Sequence, residues 1–194
     1  MDDALIPDIE THPWPPFIPE GARILILGTF PPQAKRWSMD FYYPNRTNDF
    51  WYMMGLIFCG DKNSLLAPDG KKFDIEAIKA LLTEYHIALN DTGHKVRRLK
   101  GNASDKFLEI LEPVPLYDLL KQMPQCRTLC TTGEKAASVI AELTNTPVPK
   151  KGDCTESADG LTIWRMPSTS RAYPLPLDRK ADFYEVMFRK AGIL

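Results

Sequence analysis

The residues able to do chemistry in this chain gather around one stretch. Ile24–Leu27 is an unbroken apolar run that stops at Gly28-Thr29-Phe30-Pro31-Pro32. Gly28 lets the backbone turn without a Cβ penalty, and the two prolines forbid strand or helix directly afterwards, so the loop is stiff. Phe41-Tyr42-Tyr43 follows, then Asn45, Asn48 and a helix that opens with Phe50 and Trp51. A stiff loop, an aromatic cluster and a helix N-terminus in one place are the parts of a site for a flat ring. Further polar candidates stand in Asn90-Asp91-Thr-Gly, Thr132-Gly-Glu-Lys and Pro167-Ser168-Thr169-Ser170-Arg171-Ala-Tyr.

The elements that must position these residues can be read from their periodicity. Ile24–Leu27 has the continuous apolar character of a strand buried on both faces. Phe50, Trp51, Met54, Ile57 and Phe58 recur at helical spacing, with Thr47 as the expected N-cap. Asp74 caps a helix whose stripe is Ile75, Ile78, Leu81, Leu82 and Tyr85. His86–Asn90, Arg127–Thr131 and Leu161–Arg165 read as further strands. Helices are expected from Ser104 or Asp105 to Leu111, from Leu116 to Gln122, from Gly133 to Leu143, and from Asp178 onward with Phe183, Met187 and Phe188 inward.

Four strands, each followed by a loop and a helix, predict an α/β fold: a three-layer α/β/α sandwich around a central four-stranded, mainly parallel sheet. Ligands of such sheets bind beyond the carboxyl ends of the strands, which is where the four polar loops lie. Residues 1–22 hold Pro7, Pro13, Pro15, Pro16 and Pro19 and predict an arm over the body, pinned by Trp14 and Phe17. Residues 23–194 then form a single domain.

Composition removes several function classes. No apolar run is long enough to span a bilayer, and Met1-Asp-Asp-Ala is the wrong start for a signal peptide. The expectation is a cytoplasmic protein with no membrane partner and reduced thiols at Cys59, Cys126, Cys130 and Cys154. There is no Cys-x-x-Cys pair and Cys130 falls in a strand, which argues against a metal site. With 24 basic and 25 acidic residues, the net charge does not advertise a polyanion partner, so any such partner must be met by local charge. Nothing demands more than a monomer.

Taken in order, the motifs resemble the uracil-DNA glycosylase superfamily. The match spans most of the chain from Ile24 and rests on Gly28-Thr-Phe-Pro-Pro, Tyr42-Tyr-Pro with Asn48-Asp-Phe-Trp, Ala88-Leu-Asn-Asp, and Pro167-Ser-Thr-Ser. Within the superfamily the chain is most similar to the mismatch-specific uracil and hypoxanthine-DNA glycosylase branches. The resemblance implies a monofunctional DNA-repair enzyme that needs no metal or cofactor. Such an enzyme binds damaged DNA, duplex or single-stranded, and flips out a deaminated base, uracil or hypoxanthine. It then hydrolyses the N-glycosidic bond, which leaves an abasic site.

Many members carry Asp or Asn two residues after the motif glycine, where it orients the attacking water. Here that position is Phe30, which can stack on a base but cannot hold a water. The hypoxanthine branch also lacks a polar residue there and is thought to use the Asn of its Asn-x-Phe-Trp element, matched by Asn48. The resemblance therefore implies Asn48 and Asp91 as catalytic groups, with Asn45 the alternative to Asn48. It implies a base pocket of Gly28, Thr29, Phe30, Pro31, Tyr42, Tyr43 and Asn45. Ser168, Thr169 and Ser170 would grip a phosphate, and Arg171 to Tyr173 would enter the gap in the duplex, with Arg171 as a minor-groove or orphan-base contact.

Each assignment has a plainer counterpart. Asn48 can serve only the helix N-terminus, the aromatic residues can be core, and Ser168–Ser170 can be turn residues. The run Lys95, Arg97, Arg98 and Lys100 is either a solvated face or a border of the DNA groove. A non-catalytic nucleic-acid or nucleotide binder on the same fold is the alternative function.

Overall fold

A computed structural model describes residues 8–100 and 105–194. Strand β2 (Ile24–Gly28) lies inside a five-stranded sheet of order β3-β2-β6-β8-β7, formed with β3 (Ile87–Asp91), β6 (Thr128–Thr132), β7 (Asp153–Glu156) and β8 (Thr162–Met166). All pairings are parallel except β7 against β8. Every residue of β2 is buried. Ile24 and Ile26 face one layer, with α1 (Phe50–Cys59), α2 (Ile75–Glu84) and α5 (Leu177–Lys190). Leu25 and Leu27 face the other, with α3 (Leu116–Lys121) and α4 (Glu134–Thr144). The period-two alternation of one apolar strand thus serves two cores, and full burial of each such side chain contributes about 1.5–3 kcal/mol.

The expected three-layer architecture is present, but the central sheet has five strands and not four. The extra one, β7, has the sequence Asp-Cys-Thr-Glu and sits at the edge, half-exposed, where no apolar alternation is required. A second sheet was also hidden from periodicity. It joins β1 (Ile9–Thr11), β4 (Gly93–Arg98) and β5 (Leu108–Pro113), all antiparallel. The helix expected up to Leu111 is a 3-10 turn, Asp105–Phe107, followed by β5; its alternative start at Ser104 lies outside the described residues. Here tertiary pairing with β4 overrides the helical propensity of Leu108-Glu-Ile-Leu-Glu.

Two caps also differ. Helix α1 starts at Phe50 with Asp49 before it, so Thr47 is not its N-cap. Helix α5 has Pro176 at that position, which leaves Asp178 inside the first turn. Asp74 caps α2 as the sequence predicts, accepting from the Ala77 N–H at 3.0 Å. The described part of the arm, residues 8–22, adds β1 to the small sheet and bridges the main one through Phe17 and Leu89.

Candidate active site

The loops after β2, β3, β6 and β8 open onto one cleft of about 660 Å³. At its floor, Gly28 lies opposite Asp91 in the β2–β3 register. A Cβ added to Gly28 would fall 2.5 Å from Asp91 Oδ1 and 3.1 Å from Tyr43 Oη, so the close approach of these two groups depends on glycine. The other carboxylate oxygen, Oδ2, is 2.9 Å from His12 Nε2, and the two side chains are only 4% and 8% exposed. His12 follows β1 in the arm, and its ring stacks on Tyr42 and meets the edges of Phe30 and Trp14.

Thr29, Phe30 and Pro31 line the cleft beside Gly28. The Thr29 hydroxyl donates to Asp105 Oδ2 at 2.8 Å. Desolvation pushes the Asp105 pKa up, and the Asp91 charge adds to this against the Thr29 hydrogen bond. Phe30 is held by Arg98, whose guanidinium lies over its ring and donates to Pro31 O at 2.6 Å.

The two tyrosines separate. Tyr43 lines the cleft, stacks on Phe50 at 3.7 Å, and shares a hydrogen bond with Thr132 Oγ1 at 3.1 Å. Its φ of 51° is a left-handed conformation that non-glycine residues rarely adopt, and such strain concentrates at functional sites. Burial and the nearby Asp91 raise its pKa, so the hydroxyl stays protonated. Tyr42 does not reach the cleft. It is 1% exposed, its hydroxyl donates toward Asn90 Oδ1 and Pro15 O, and it belongs to the core and not to the cleft wall expected of it.

Asn45 and Asn48 both reach the cleft. Asn48 Oδ1 accepts from the Phe50 N–H at 2.9 Å, and its Nδ2 has no partner among the described residues. Asn45 Oδ1 is occupied by the Thr47 N–H and hydroxyl, both at 2.9 Å. Helix-end hydrogen bonding and an open amide donor thus coexist in Asn48.

The loop after β8 is tied to the start of α1. Asn48 bridges Ser170, and the Asp49 N–H donates to Thr169 O at 2.9 Å. The buried Asp49 carboxylate accepts from Arg171 Nε at 2.9 Å and from Lys180 Nζ at 2.8 Å. Lys180 is completely buried and also donates to Ser170 O. Hydrogen bonding to Asp49 raises the pKa of Arg171. Ser168 and Ser170 each accept a backbone N–H two residues on, so they make turns while also lining the cleft.

Sequence reasoning passed over His12, Asp49, Lys180 and Asp105. The pairing of His12 with Asp91 spans 79 positions and left no local signal. Lys180 did leave one, because it stands four residues before Tyr184 on the buried face of α5. The basic run is not part of the cleft. Lys95 pairs with Glu112, Arg97 with Glu109, and the nearly buried Arg98 with Glu10. The cations at the cleft are Arg36, Lys106 and Arg171, and an adjoining recess of about 460 Å³ adds Lys135, Lys151 and Arg165. Among the described residues no cluster of His, Cys, Asp and Glu could hold a metal ion.

Comparison with known proteins adds the family. No family model matches the chain. A hypoxanthine DNA glycosylase of Methanosarcina barkeri is 30% identical over 124 residues, which cover 63% of this chain and 71% of the relative. The chain belongs to the uracil-DNA glycosylase superfamily. This glycosylase also shares its fold with an NMR structure from Methanosarcina acetivorans, provisionally named a uracil DNA glycosylase. The TM-score is 0.63 at 24% identity, over 95% of this chain and 99% of the other. The strand-end cleft of a DNA glycosylase is thus lined by Asn48, Asp91, Phe30 and Tyr43.

Proposed function

We propose that this glycosylase removes a deaminated base, hypoxanthine or uracil, from DNA by hydrolysis and leaves an abasic site. The observation that carries the reading is that the open amide of Asn48 and the Asp91 carboxylate share one cleft with two aromatic rings. The flipped base enters beside Phe30 and Tyr43, and its ring N–H faces the acceptor Asp91 Oδ1. Asn48 holds the water that attacks C1′ as the C1′–N bond breaks. The base leaves as an anion with the bonding electron pair, the water oxygen forms the new bond to C1′, and the proton that the water sheds passes through solvent to the departed base, which ends neutral. A carboxamide is too weak a base to take that proton, so its contribution is geometric, and alignment alone is able to account for a large part of such a barrier.

Hypoxanthine is supported by the name of the relative, and a cleft of about 660 Å³ has room for a purine. Arg36 and Lys106 at the cleft, with Lys135 and Lys151 beside it, are the cations for the phosphates of the bound strand. The test uses end-labelled duplexes and single strands holding one hypoxanthine or one uracil, followed by alkali. Alkali-labile sites at the deaminated base, and none at normal bases, are expected. Intact strands throughout would contradict the proposal.

A further inference from the structure

The arm places a buried side chain, His12, behind the cleft and against the carboxylate at its floor, Asp91. We infer that His12 is a positioning residue for Asp91, and that the arm thereby helps the site to tell hypoxanthine and uracil from adenine and cytosine. The inference rests on the function proposed above.

The two oxygens of Asp91 do different things. Oδ2 is 2.9 Å from His12 Nε2. Oδ1 lies against the Cα of Gly28 at the cleft floor and has no hydrogen-bond partner among the described residues. A buried carboxyl group with no partner would be free to rotate, which would spoil it as an aimed acceptor. The hydrogen bond between His12 Nε2 and Oδ2 prevents that and leaves Oδ1 as a fixed acceptor.

The imidazole is itself held on every side. Its backbone N–H donates to His94 O at 2.8 Å, and its ring stacks on Tyr42 at 5.5 Å between centroids. Nδ1 is 2.9 Å from Trp14 O and 3.3 Å from the Trp14 N. If Nδ1 accepts from the Trp14 N–H, the neutral ring donates Nε2–H to Asp91. If Nδ1–H donates to Trp14 O, one proton lies between Nε2 and Oδ2 and either atom can carry it. Oδ1 keeps a lone pair free to accept in every arrangement.

A fixed acceptor at the floor selects a chemical class. Hypoxanthine and uracil present a ring N–H beside a carbonyl, which Oδ1 can accept. Adenine and cytosine present a lone pair at the equivalent nitrogen, which the carboxylate repels. A site built around a buried hydrogen bond rejects analogues that cannot make it.

The test compares His12→Phe, His12→Gln and Asp91→Asn in single-turnover excision from hypoxanthine and uracil duplexes, with affinity for a tetrahydrofuran-containing duplex measured alongside. His12→Phe keeps a ring and loses the donor, and is expected to slow excision by about 10- to 100-fold, with duplex affinity held within about twofold. His12→Gln restores an N–H donor and should recover most of the rate. Adding His12→Phe to Asp91→Asn should slow excision no further, because both act through one contact. Should phenylalanine prevent folding, His12→Asn, too short to reach Asp91, replaces it. An active wild type with an unimpaired His12→Phe, or a double variant carrying the product of both losses, overturns this inference alone. A wild type inert on every duplex overturns the proposed function and this inference together.

Discussion

On the β1–β4–β5 sheet, Lys95 meets Glu112 at 2.8 Å, Arg97 meets Glu109 at 3.0 Å, and Arg98 meets Glu10 at 2.7 Å. Under the loop after β8, Asp49 spends both oxygens on Arg171 and Lys180. In the cleft between them the pattern reverses: Asp91 has one oxygen engaged and one open, and Asn48 has its oxygen engaged and its nitrogen open. Charge that closes on itself holds the frame, and polar groups left half-satisfied at the strand ends are available to a substrate. The comparison also explains how a chain with nearly balanced charge can meet DNA, since Arg36, Lys106, Lys135 and Lys151 at and beside the cleft have no carboxylate partner among the described residues.

The strongest way to break this comparison is at Asp49–Lys180. Lys180→Met leaves the buried Asp49 carboxylate with only the half-exposed Arg171 and strips Ser170 O of its donor, so it should cost toward the lower end of about 3–5 kcal/mol in urea unfolding. Replacing both, with Asp49→Leu and Lys180→Met, should recover much of that stability. A single variant as stable as the wild type would mean that the pair is not a strut.

The opposite profile is expected at Gly28→Ala. Its Cβ would sit 2.5 Å from Asp91 Oδ1, so it should displace the open oxygen. Excision should fall by at least about tenfold, for an overpacking cost of about 1–3 kcal/mol. Activity that survives intact would show that Oδ1 is not used.

Closed and open cations can be separated by salt. Neutralising Lys106, Lys135 or Lys151 should each reduce the slope of log affinity against log salt by about one on duplex DNA. Neutralising Lys95 or Arg97 should leave the slope unchanged, since Glu112 and Glu109 already occupy them. Equal effects in the two sets would erase the distinction.

The smallest effect is expected at Asp105. Its pKa is raised in the folded protein, so its contribution to stability is full below the unfolded pKa and is lost as pH rises through the folded value. Near neutral pH the charged carboxyl therefore opposes folding, but only weakly, because the side chain is solvent-exposed and water screens it. Asp105→Asn, which can still accept from Thr29, should raise the melting temperature slightly at pH 7 and leave it unchanged in acid. A rise of equal size at both pH values would contradict the assignment.

The parallel strands were legible because each must be apolar on both faces, as Ile24–Leu27 and Ile87–Leu89 are. The edges were not. β7 is short and polar, β5 mixes apolar and charged residues in an order that also suits a helix, and β1 joins β4 across more than 80 residues. At the site, the loops after the strands could be gathered from topology alone. Tyr42 and Tyr43 could not be told apart, because adjacent residues point in different directions and only the fold decides which one meets the core. The buried pairs His12–Asp91 and Asp49–Lys180 are contacts between distant segments, and no local spacing encodes them.

The most direct test of the account is the single-turnover rate of Asn48→Ala on a hypoxanthine duplex, set against its affinity for the abasic product. The account predicts a loss of about 100-fold or more in rate, with product affinity and melting temperature close to wild type. A variant that excises at the wild-type rate would contradict the placement of the water at Asn48.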